Sequence, residues 1–358
     1  MTFDLAEMMS LAPYSLDAAT KAPLFRAGID ALTRHHYQNC VAYKNICDGL
    51  RFNIGGAVTI EDYPFLPARL FKYHELKSMP DAEIQRVLTS SGTSGKASKI
   101  YLDAITAAGQ TKALSKIVSD YLGPQRLPML VIDSPGSVKT KGQLSARTAG
   151  IVGYSIFGRD VTYALRDDMS IDIPVIEDFY ARHVGAKFFI FGFTFVVFLH
   201  FIRALEILNE NLPLGKGILI HGGGWKKLAD IAVDNPTFKR RLKSVSGIDR
   251  VHNYYGLVEQ TGSVFVECEY GHIHCSNLSD VVIRGSDLSV APKGKKGMIQ
   301  VMSLLPHGYP GHILLTEDEG TMLGEDDCAC GRKGKYFTIH GRISQAEVRG
   351  CSDAYVSR

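Results

Sequence analysis

Hydrophobic positions change their spacing twice along the chain, and the changes divide it into regions. Apolar residues three and four positions apart over residues 1–84 predict a helical N-terminal region. Over residues 85–262, short apolar runs alternate with helical patterns, which predicts an α/β core with a mostly parallel sheet flanked by helices. Residues 263–340 carry short strand patterns between turns and predict a smaller, antiparallel β subdomain. Residues 341–358 form a short C-terminal tail.

Two segments make these predictions specific. DAEIQRVL (81–88) has helical spacing, so the helical pattern is expected to reach the start of the core. KFFIFGFTFVVFLHFI (187–202) is the most apolar stretch, contains Gly192 and His200, and is shorter than an ordinary bilayer span. We expect it to form a buried strand, a turn at Gly192 and a core helix.

Composition narrows the class of protein. With 358 residues, of which 45% are hydrophobic and 22% charged, the chain is expected to be globular with a sizeable core. A formal net charge of +3 is too small to indicate nucleic-acid binding. The opening residues, MTFDLAEMMS, carry acidic groups where a secretory signal carries basic ones. Because seven cysteines, an odd number, also indicate reduced thiols, we predict a cytoplasmic protein without a membrane span.

The segment TSSGTSGKASK (89–99) has the composition of a phosphate-binding loop. Glycines let backbone N–H groups approach an anion, and hydroxyls and a lysine add donors. The candidate residues are Ser90, Ser91, Gly92, Thr93, Ser94, Gly95 and Lys96. The segment is not a Walker A loop, because Ser90 stands where that motif needs its first glycine. Taken alone, it also fits a flexible surface loop.

Four further segments have compatible chemistry. HNYYGLVEQTG (252–262) could stack an aromatic ring on a base while its carboxylate reaches a metal ion. HGGGWKK (221–227) ends a predicted strand with glycines and could form a crevice for a flat ligand. TED (316–318) offers a carboxylate to ribose hydroxyls, and GRIS (341–344) supplies an arginine. Individually, the glycine-rich segment also fits a tight turn and the tyrosines also fit ordinary packing.

In this order, the segments resemble those of the adenylate-forming enzymes. HGGGWKK, CACGRKGKYF and the ending HGRISQAEVRGCSDAY resemble more specifically the LuxE-type acyl-protein synthetases, and the phenylacetate–CoA ligase branch is similar in style. The resemblance covers residues 85 to 355. It implies an α/β fold of the adenylate-forming type, the use of ATP and Mg²⁺, and activation of a fatty or related carboxylic acid as an acyl-adenylate.

The resemblance also implies roles for the candidate residues. Residues 90–96 would grip the triphosphate, with Lys96 as a catalytic cation, and Glu259 would help to hold Mg²⁺. Adenine and ribose would be held by Gly222, Gly223, Gly224, Tyr255, Gly256, Asp318 and Arg342. Since a carboxylate attacks the α-phosphorus in line, such residues would act by positioning the reactants and neutralising phosphate charge.

The sequence departs from the adenylating pattern near its end. Full-length members of that superfamily carry a C-terminal lid domain with an assisting lysine, and we expect this domain to be truncated here. Candidates for the missing cation are Lys226, Lys333 and Lys335, which the sequence does not rank. Ser344 stands at a hinge position that is often acidic in relatives, which argues against a large domain rotation.

The tail EVRGCSDAYVSR contains Cys351, close to Arg349. A thiolate can attack an acyl-adenylate, and neighbouring positive charge lowers the pKa of a thiol. The resemblance implies that a cysteine here becomes the acyl carrier before a partner reductase or another acceptor receives the acyl group. Without the resemblance, Cys351 fits an ordinary tail cysteine. Two other functions stay open: an acyl- or aryl-CoA ligase, and a non-catalytic scaffold subunit.

Cysteines and histidines are concentrated in the predicted β subdomain. CEYGHIHC (268–275) and CAC (328–330) could together build a four-coordinate structural zinc site. A similar arrangement in enzymes of the phenylacetate–CoA ligase style favours the set Cys268, His274, Cys328 and Cys330, with His272 or Cys275 as substitutes. Reduced cysteines beside a hairpin histidine pair are the alternative.

The phenylalanine-rich segment Phe188–Phe201 suggests where an acyl chain lies. Burying methylenes against apolar walls is worth roughly 0.8 kcal/mol each. Most of these rings are nevertheless expected to belong to the core.

Overall fold

The computed structural model describes residues 3–90, 97–139, 146–225 and 231–343. The chain folds into two compact units. The first unit takes its described residues from Met1–Val118 and Gly256–Glu347, and the second takes them from Ser119–Tyr255. None of the helices in these described stretches is long and apolar enough to cross a membrane.

The first unit begins with the helices α1 (Leu5–Met8), α2 (Ala18–Asn39) and α3 (Val41–Gly49). The Asp17 carboxylate caps α2 by accepting the Thr20 N–H at 2.9 Å. Phe25 and Ile29, four residues apart on one face of α2, are buried in the main apolar core of this unit. The helical N-terminal pattern is therefore confirmed as far as α3.

Beyond α3, the prediction of a helix at residues 81–88 is wrong. The segments that follow α3 are single 3₁₀ turns and short strands, namely Ile60–Asp62, β1 (Leu66–Pro67), Ala68–Lys72, Asp81–Glu83 and β2 (Arg86–Thr89). Strand β2 pairs antiparallel with β3 (Lys99–Leu102), which places Val87 opposite Tyr101 and Leu88 opposite Ile100. Cross-strand partners of this kind favour extended backbone over the local helical spacing.

Helix α4 (Ala104–Leu122) leads to the second unit, whose strands are β4 (Leu127–Ile132), β5 (Gly158–Tyr163), β6 (Phe188–Phe193), β7 (Gly217–Gly222) and β8 (Arg250–Tyr255). All four pairings are parallel, in the order β8-β7-β6-β4-β5. The helical segments between them are α5 (Gly136–Lys139), α6 (Ala146–Ser155), α7 (Ile173–Arg182), α8 (Thr194–Val196), a π-helical stretch (Val197–Ile202), α9 (Arg203–Leu208) and α10 (Asn235–Ser246). The predicted parallel sheet is therefore confirmed.

The turn predicted at Gly192 is wrong by two residues. Strand β6 runs through Gly192 to Phe193, and α8 begins at Thr194. A Cβ added to Gly192 would lie 2.6 Å from Cγ2 of Val197. The glycine is needed because the helix folds back closely onto the strand that precedes it.

The rest of the first unit is an antiparallel sheet. Its strands are β9 (Phe265–Glu267), β10 (Ile273–His274), β11 (Ser279–Arg284), β12 (Lys296–Ser303), β13 (Ile313–Glu325) and β14 (Lys335–Arg342). They lie in the order β11-β12-β13-β14-β10-β9, and β1 pairs parallel to the start of β13. The antiparallel β region expected after residue 263 is confirmed.

Candidate functional site

The phosphate-loop candidate is closed at its base by two hydrogen bonds. The backbone N–H of Ser90, just beyond β2, donates to the carbonyl of Ser98 at 3.1 Å. The Ser98 N–H in turn donates to Ser90 Oγ at 2.9 Å. These bonds fix the two ends of the segment between β2 and β3. Ser91, Gly92, Thr93, Ser94, Gly95 and Lys96 lie outside the described residues.

The predicted ribose-binding pair meets across two strands. The register of β13 and β14 places Asp318 opposite Arg342, and Arg342 Nε lies 3.7 Å from Asp318 Oδ1. The Asp318 backbone N–H donates to Thr316 Oγ1 at 3.2 Å. The arrangement presents a carboxylate and a guanidinium side by side at one end of the antiparallel sheet.

Glu259 lies in a 3₁₀ turn at Val258–Gln260, and the side chain of Gln260 holds this turn in place. The buried Gln260 side chain donates to the Gly311 carbonyl at 2.9 Å. Burial raises the pKa of Glu259, the nearby Ser98 hydroxyl and Arg342 charge lower it, and the Glu317 charge raises it. Glu259 therefore shares its electrostatic surroundings with the base of the loop and with Arg342.

The carboxylate of Glu317 also lies near Arg342, and the sequence did not predict a role for it. Its carboxylate lies 3.9 Å from Arg69 and 4.0 Å from Arg342. The TED segment predicts one functional carboxylate, that of Asp318, whereas both Glu317 and Asp318 lie near Arg342. Glu259, Glu317, Asp318 and Arg342 form what we call the carboxylate–arginine cluster, a set of groups suited to holding a cation and polar hydroxyls.

In the second unit, the glycines at the end of β7 leave space for an aromatic ring. Gly222 pairs with Tyr254 of β8, and a Cβ on Gly222 would lie 2.3 Å from the Tyr254 ring. Gly223 has φ +83°, a conformation that favours glycine, and lies against Phe193. The backbone of β7 thus supports a flat ring at the carboxyl end of the parallel sheet, the usual ligand-binding edge of such sheets.

The aromatic ring that packs on Gly222 is not the one that the sequence predicts. Tyr254, not Tyr255, packs on Gly222. Tyr255 follows it in β8 and therefore projects to the opposite face. Gly224 and Gly256 are exposed.

The phenylalanine-rich segment is core, as expected for most of its rings. Phe188, Phe189, Phe191 and Phe201 are fully buried. The ring of Phe191 stacks on Tyr154 with centroids 4.4 Å apart. An acyl chain in this region would have to lie beside these rings, since they fill each other's space.

The candidate replacement lysines differ sharply in their surroundings. Lys335 Nζ lies 3.0 Å from Asp280 Oδ1 and 3.9 Å from Glu61. Burial alone would lower the pKa of Lys335, but the Asp280, Glu61 and Glu325 charges raise it. Lys335 is therefore committed to an internal ion pair, whereas Lys333 is partly exposed. Lys226, Ser344 and Cys351 lie outside the described residues.

Cysteine and histidine side chains converge beside β9, β10 and β14. The ligand atoms of Cys268, His274, Cys328 and Cys330 all lie within 4.8 Å of one another. Among these atoms, Cys330 Sγ lies 3.3 Å from His274 Nε2, and Cys268 Sγ lies 3.9 Å from Cys328 Sγ. Tetrahedral zinc, with Zn–S bonds of about 2.3 Å, holds two sulfurs about 3.8 Å apart. The donor set and its spacing fit a zinc ion.

The two substitute ligands occupy different positions. His272 Nδ1 lies 3.2 Å from Cys328 Sγ, at the rim of the cluster. Cys275 is buried near the Asp280, Lys21 and Lys335 charges and is not one of the four residues whose ligand atoms converge. Tyr336 stacks on both His272 and His274, at centroid distances of 4.9 and 5.4 Å, and so supports the histidine pair.

Comparison with known proteins supplies the family context. A family model described as "Acyl-protein synthetase, LuxE" matches residues 4–358. A long-chain-fatty-acid–luciferin-component ligase of Vibrio harveyi is 22% identical over 327 residues, covering 89% of this chain and 84% of the relative. The protein of the same name from Aliivibrio fischeri is 24% identical over 331 residues, covering 88% and 84%.

Solved structures of an adenylate-forming ligase share the fold. A 2-hydroxyisobutyryl-CoA ligase in the postadenylation state matches with a TM-score of 0.68 at 14% identity, covering 92% of this chain and 69% of that one. An open conformation of the same ligase matches with a TM-score of 0.68 at 15% identity, covering 94% and 78%. At such identities the likeness shows the fold alone, and it confirms the predicted α/β architecture.

Proposed function

Because the chain belongs to the LuxE family of acyl-protein synthetases, we propose that it activates a long-chain fatty acid with ATP and then takes the acyl group onto its own Cys351. As a member of that family, the chain is an acid–thiol ligase with the fold of adenylate-forming enzymes. The carboxylate–arginine cluster is the observation that supports the adenylation proposal, because the Arg342 charge and the Ser98 hydroxyl, at the base of the phosphate-loop candidate, both act on Glu259.

Each proposed role follows from the chemistry of its group. Residues 90–96 bind the triphosphate with backbone N–H groups, hydroxyls and Lys96. Glu259 would contribute an oxygen ligand to Mg²⁺, and the bound ion would supply positive charge that neutralises the phosphates. Asp318 accepts hydrogen bonds from the ribose hydroxyls, and Arg342, 3.7 Å away, orients that carboxylate. The exposed Gly223 and Gly224 contact adenine through their backbone, on the side of the sheet where Tyr254, rather than Tyr255, packs on Gly222.

The second half-reaction transfers the acyl group. The Cys351 sulfur attacks the acyl carbon, the bond from that carbon to the AMP oxygen breaks, and AMP leaves with the electron pair. A thioester has formed on the chain, from which a reductase or another acceptor protein takes the acyl group. The names of the Vibrio harveyi and Aliivibrio fischeri relatives support a long-chain fatty acid as the substrate.

Exchange of pyrophosphate into ATP tests adenylation without the second step. We expect wild-type protein to catalyse this exchange with tetradecanoic acid and Mg²⁺. Glu259→Gln keeps the shape of the side chain but removes the charge, and should slow the exchange about 10²-fold. Glu177→Gln, an exposed position on α7, is the matched control and should change little. Equal rates for Glu259→Gln and wild type would contradict the role of Glu259.

We further propose that Cys268, His274, Cys328 and Cys330 bind a structural zinc ion. Cys268 and Cys328 each begin a tight turn. The Gly271 N–H donates to the Cys268 carbonyl at 3.0 Å, and the Gly331 N–H donates to the Cys328 carbonyl at 3.0 Å. Both glycines have positive φ, so the turns are set by the backbone before a metal arrives. A bound zinc ion would join the β9–β10 hairpin to the segment before β14.

Metal analysis tests the zinc proposal. Purified wild-type protein should contain about one zinc ion per chain, and Cys328→Ser should contain close to none, because the site loses one of its three thiolates. Cys40→Ser is the matched control, since Cys40 is also a buried free cysteine but belongs to α2's end rather than to the cluster. Zinc retained in full by Cys328→Ser would contradict the assignment.

A further inference from the structure

A histidine–carboxylate pair lies in the first unit outside the carboxylate–arginine cluster. His307 Nδ1 is 2.7 Å from Asp103 Oδ2, although the two residues are 204 positions apart in sequence. The Asp103 side chain is only 7% exposed, whereas the His307 side chain is 37% exposed. A buried carboxylate therefore orients an imidazole that solvent and ligands can reach.

Both members of the pair are held in place by one threonine. The Thr106 N–H donates to Asp103 Oδ1 at 2.7 Å. Thr106 Oγ1 accepts the backbone N–H groups of His307 at 3.1 Å and Gly308 at 3.0 Å. With Nδ1 directed at Asp103, Nε2 of His307 is the nitrogen that can accept a proton from a reacting group.

The pair is joined to the proposed magnesium ligand through a short connection. Gly308 lies against Asp103, where a Cβ would be 3.1 Å from the Asp103 nitrogen. Three residues on, a Cβ at Gly311 would lie 2.2 Å from the Tyr309 ring and 2.7 Å from the Glu259 carbonyl oxygen. The segment between β12 and β13 thus contacts Asp103 at one end and Glu259 at the other.

The buried Tyr309 supports this proximity electrostatically. Its side chain is fully buried, and burial raises its pKa. The negative charges of Glu259 and Asp103 raise it further, in that order. The Tyr309 phenol therefore interacts electrostatically with both Glu259, the proposed magnesium ligand, and Asp103, the carboxylate of the histidine pair.

We propose that His307, positioned by Asp103, is the general base of the acyl-transfer half-reaction. His307 Nε2 accepts the proton of the acceptor thiol while the sulfur bonds to the acyl carbon. The bond from that carbon to the AMP oxygen breaks, AMP leaves with the electron pair, and the proton passes from the imidazole to solvent. This inference rests on the adenylation proposed above and adds the group that activates the thiol.

Three side chains surround His307. Asp103, directly before α4, is the carboxylate that faces it. From α2, His35 stacks on His307 with ring centroids 4.1 Å apart, and the His36 ring lies 5.2 Å from that of His35. Burial lowers the pKa of His35, and the His307 charge lowers it further.

The test compares the two half-reactions in the full-length chain. Tritiated tetradecanoic acid, Mg-ATP and coenzyme A are supplied, and total thioester, on the chain and on coenzyme A, is measured beside pyrophosphate exchange. His307→Gln should slow thioester formation about 10²-fold more than it slows the exchange. The rate of thioester formation by His307→Gln should then rise about tenfold per pH unit up to the pKa of the thiol, near 8.5. The wild-type rate should have levelled off within this range. Asp103→Asn, which can still accept the Thr106 N–H, should shift the wild-type profile.

A matched control separates catalysis from folding. His183 Nε2 also lies 2.7 Å from a carboxylate, that of Asp160, in the second unit. His183→Gln should leave the ratio of the two half-reactions and the pH profile unchanged. If His307→Gln lowers both half-reactions equally, or neither, His307 is not the base. If wild type shows no exchange, the proposed function fails, and this inference fails with it.

Discussion

Replacing Arg147 by methionine is expected to lower the free energy of unfolding by about 3–5 kcal/mol. Arg147 Nε and Nη2 each lie 2.6 Å from an oxygen of Asp133, and the two side chains are only 7% and 1% exposed. The substitution leaves a carboxylate in a site where water cannot replace the lost guanidinium. Chemical denaturation followed by circular dichroism measures the loss.

The Arg147–Asp133 pair contacts several elements, so breaking it should destabilise more than one of them. Asp133 directly follows β4, and its carboxylate also accepts the Ser134 N–H at 2.7 Å and the Ser137 hydroxyl. Burial raises the pKa of Tyr163 in β5, and the Asp133 charge raises it further. The pair thus connects the carboxyl end of β4 to α5, α6 and β5.

Two further variants make this expectation decisive. Arg182→Met removes a surface arginine, 40% exposed, from its ion pairs with Asp160 and Asp178 and should cost less than about 1 kcal/mol. Adding Asp133→Asn to Arg147→Met removes the stranded charge and should restore part of the lost stability. Equal costs for Arg147→Met and Arg182→Met would show that the buried pair contributes no more than a surface one.

Local patterns were sufficient for much of the fold. Runs of apolar residues in β4, β6 and β7 alternate with amphipathic helices, and this alternation alone predicts a parallel sheet. The same local reasoning failed at residues 81–88, because β2 takes its conformation from pairing with β3, on the far side of the phosphate-loop candidate. Helical spacing over eight residues does not contain that information.

The candidate site shows the same division between local and distant information. Asp318 and Arg342 were recognisable because each lies in a motif, and strand register then brings them together. Glu317 depends on Arg69, and Asp103 depends on His307, and both partners lie far away in sequence. Glu317 lies in the TED segment, but Arg69, Asp103 and His307 lie in no motif. Contacts made by the fold, rather than by a segment, required the structure.

The second large effect is expected at Cys351. Serine at this position keeps the size of the side chain but has a far less acidic and less nucleophilic group at neutral pH, so no thioester can form. Cys351→Ser should therefore lose all acylation of the chain while acid-dependent pyrophosphate exchange continues. Cys47→Ser, at a buried cysteine of α3, is the control and should still be acylated.

The most direct measurement of the whole account is the intact mass of the full-length chain after incubation with Mg-ATP and tetradecanoic acid. We expect that wild type gains one acyl group, that hydroxylamine removes it, and that Cys351→Ser gains none. Acid-dependent pyrophosphate release with no adduct on wild type, together with acyl-CoA formation when coenzyme A is added, would contradict self-acylation and identify a CoA ligase instead.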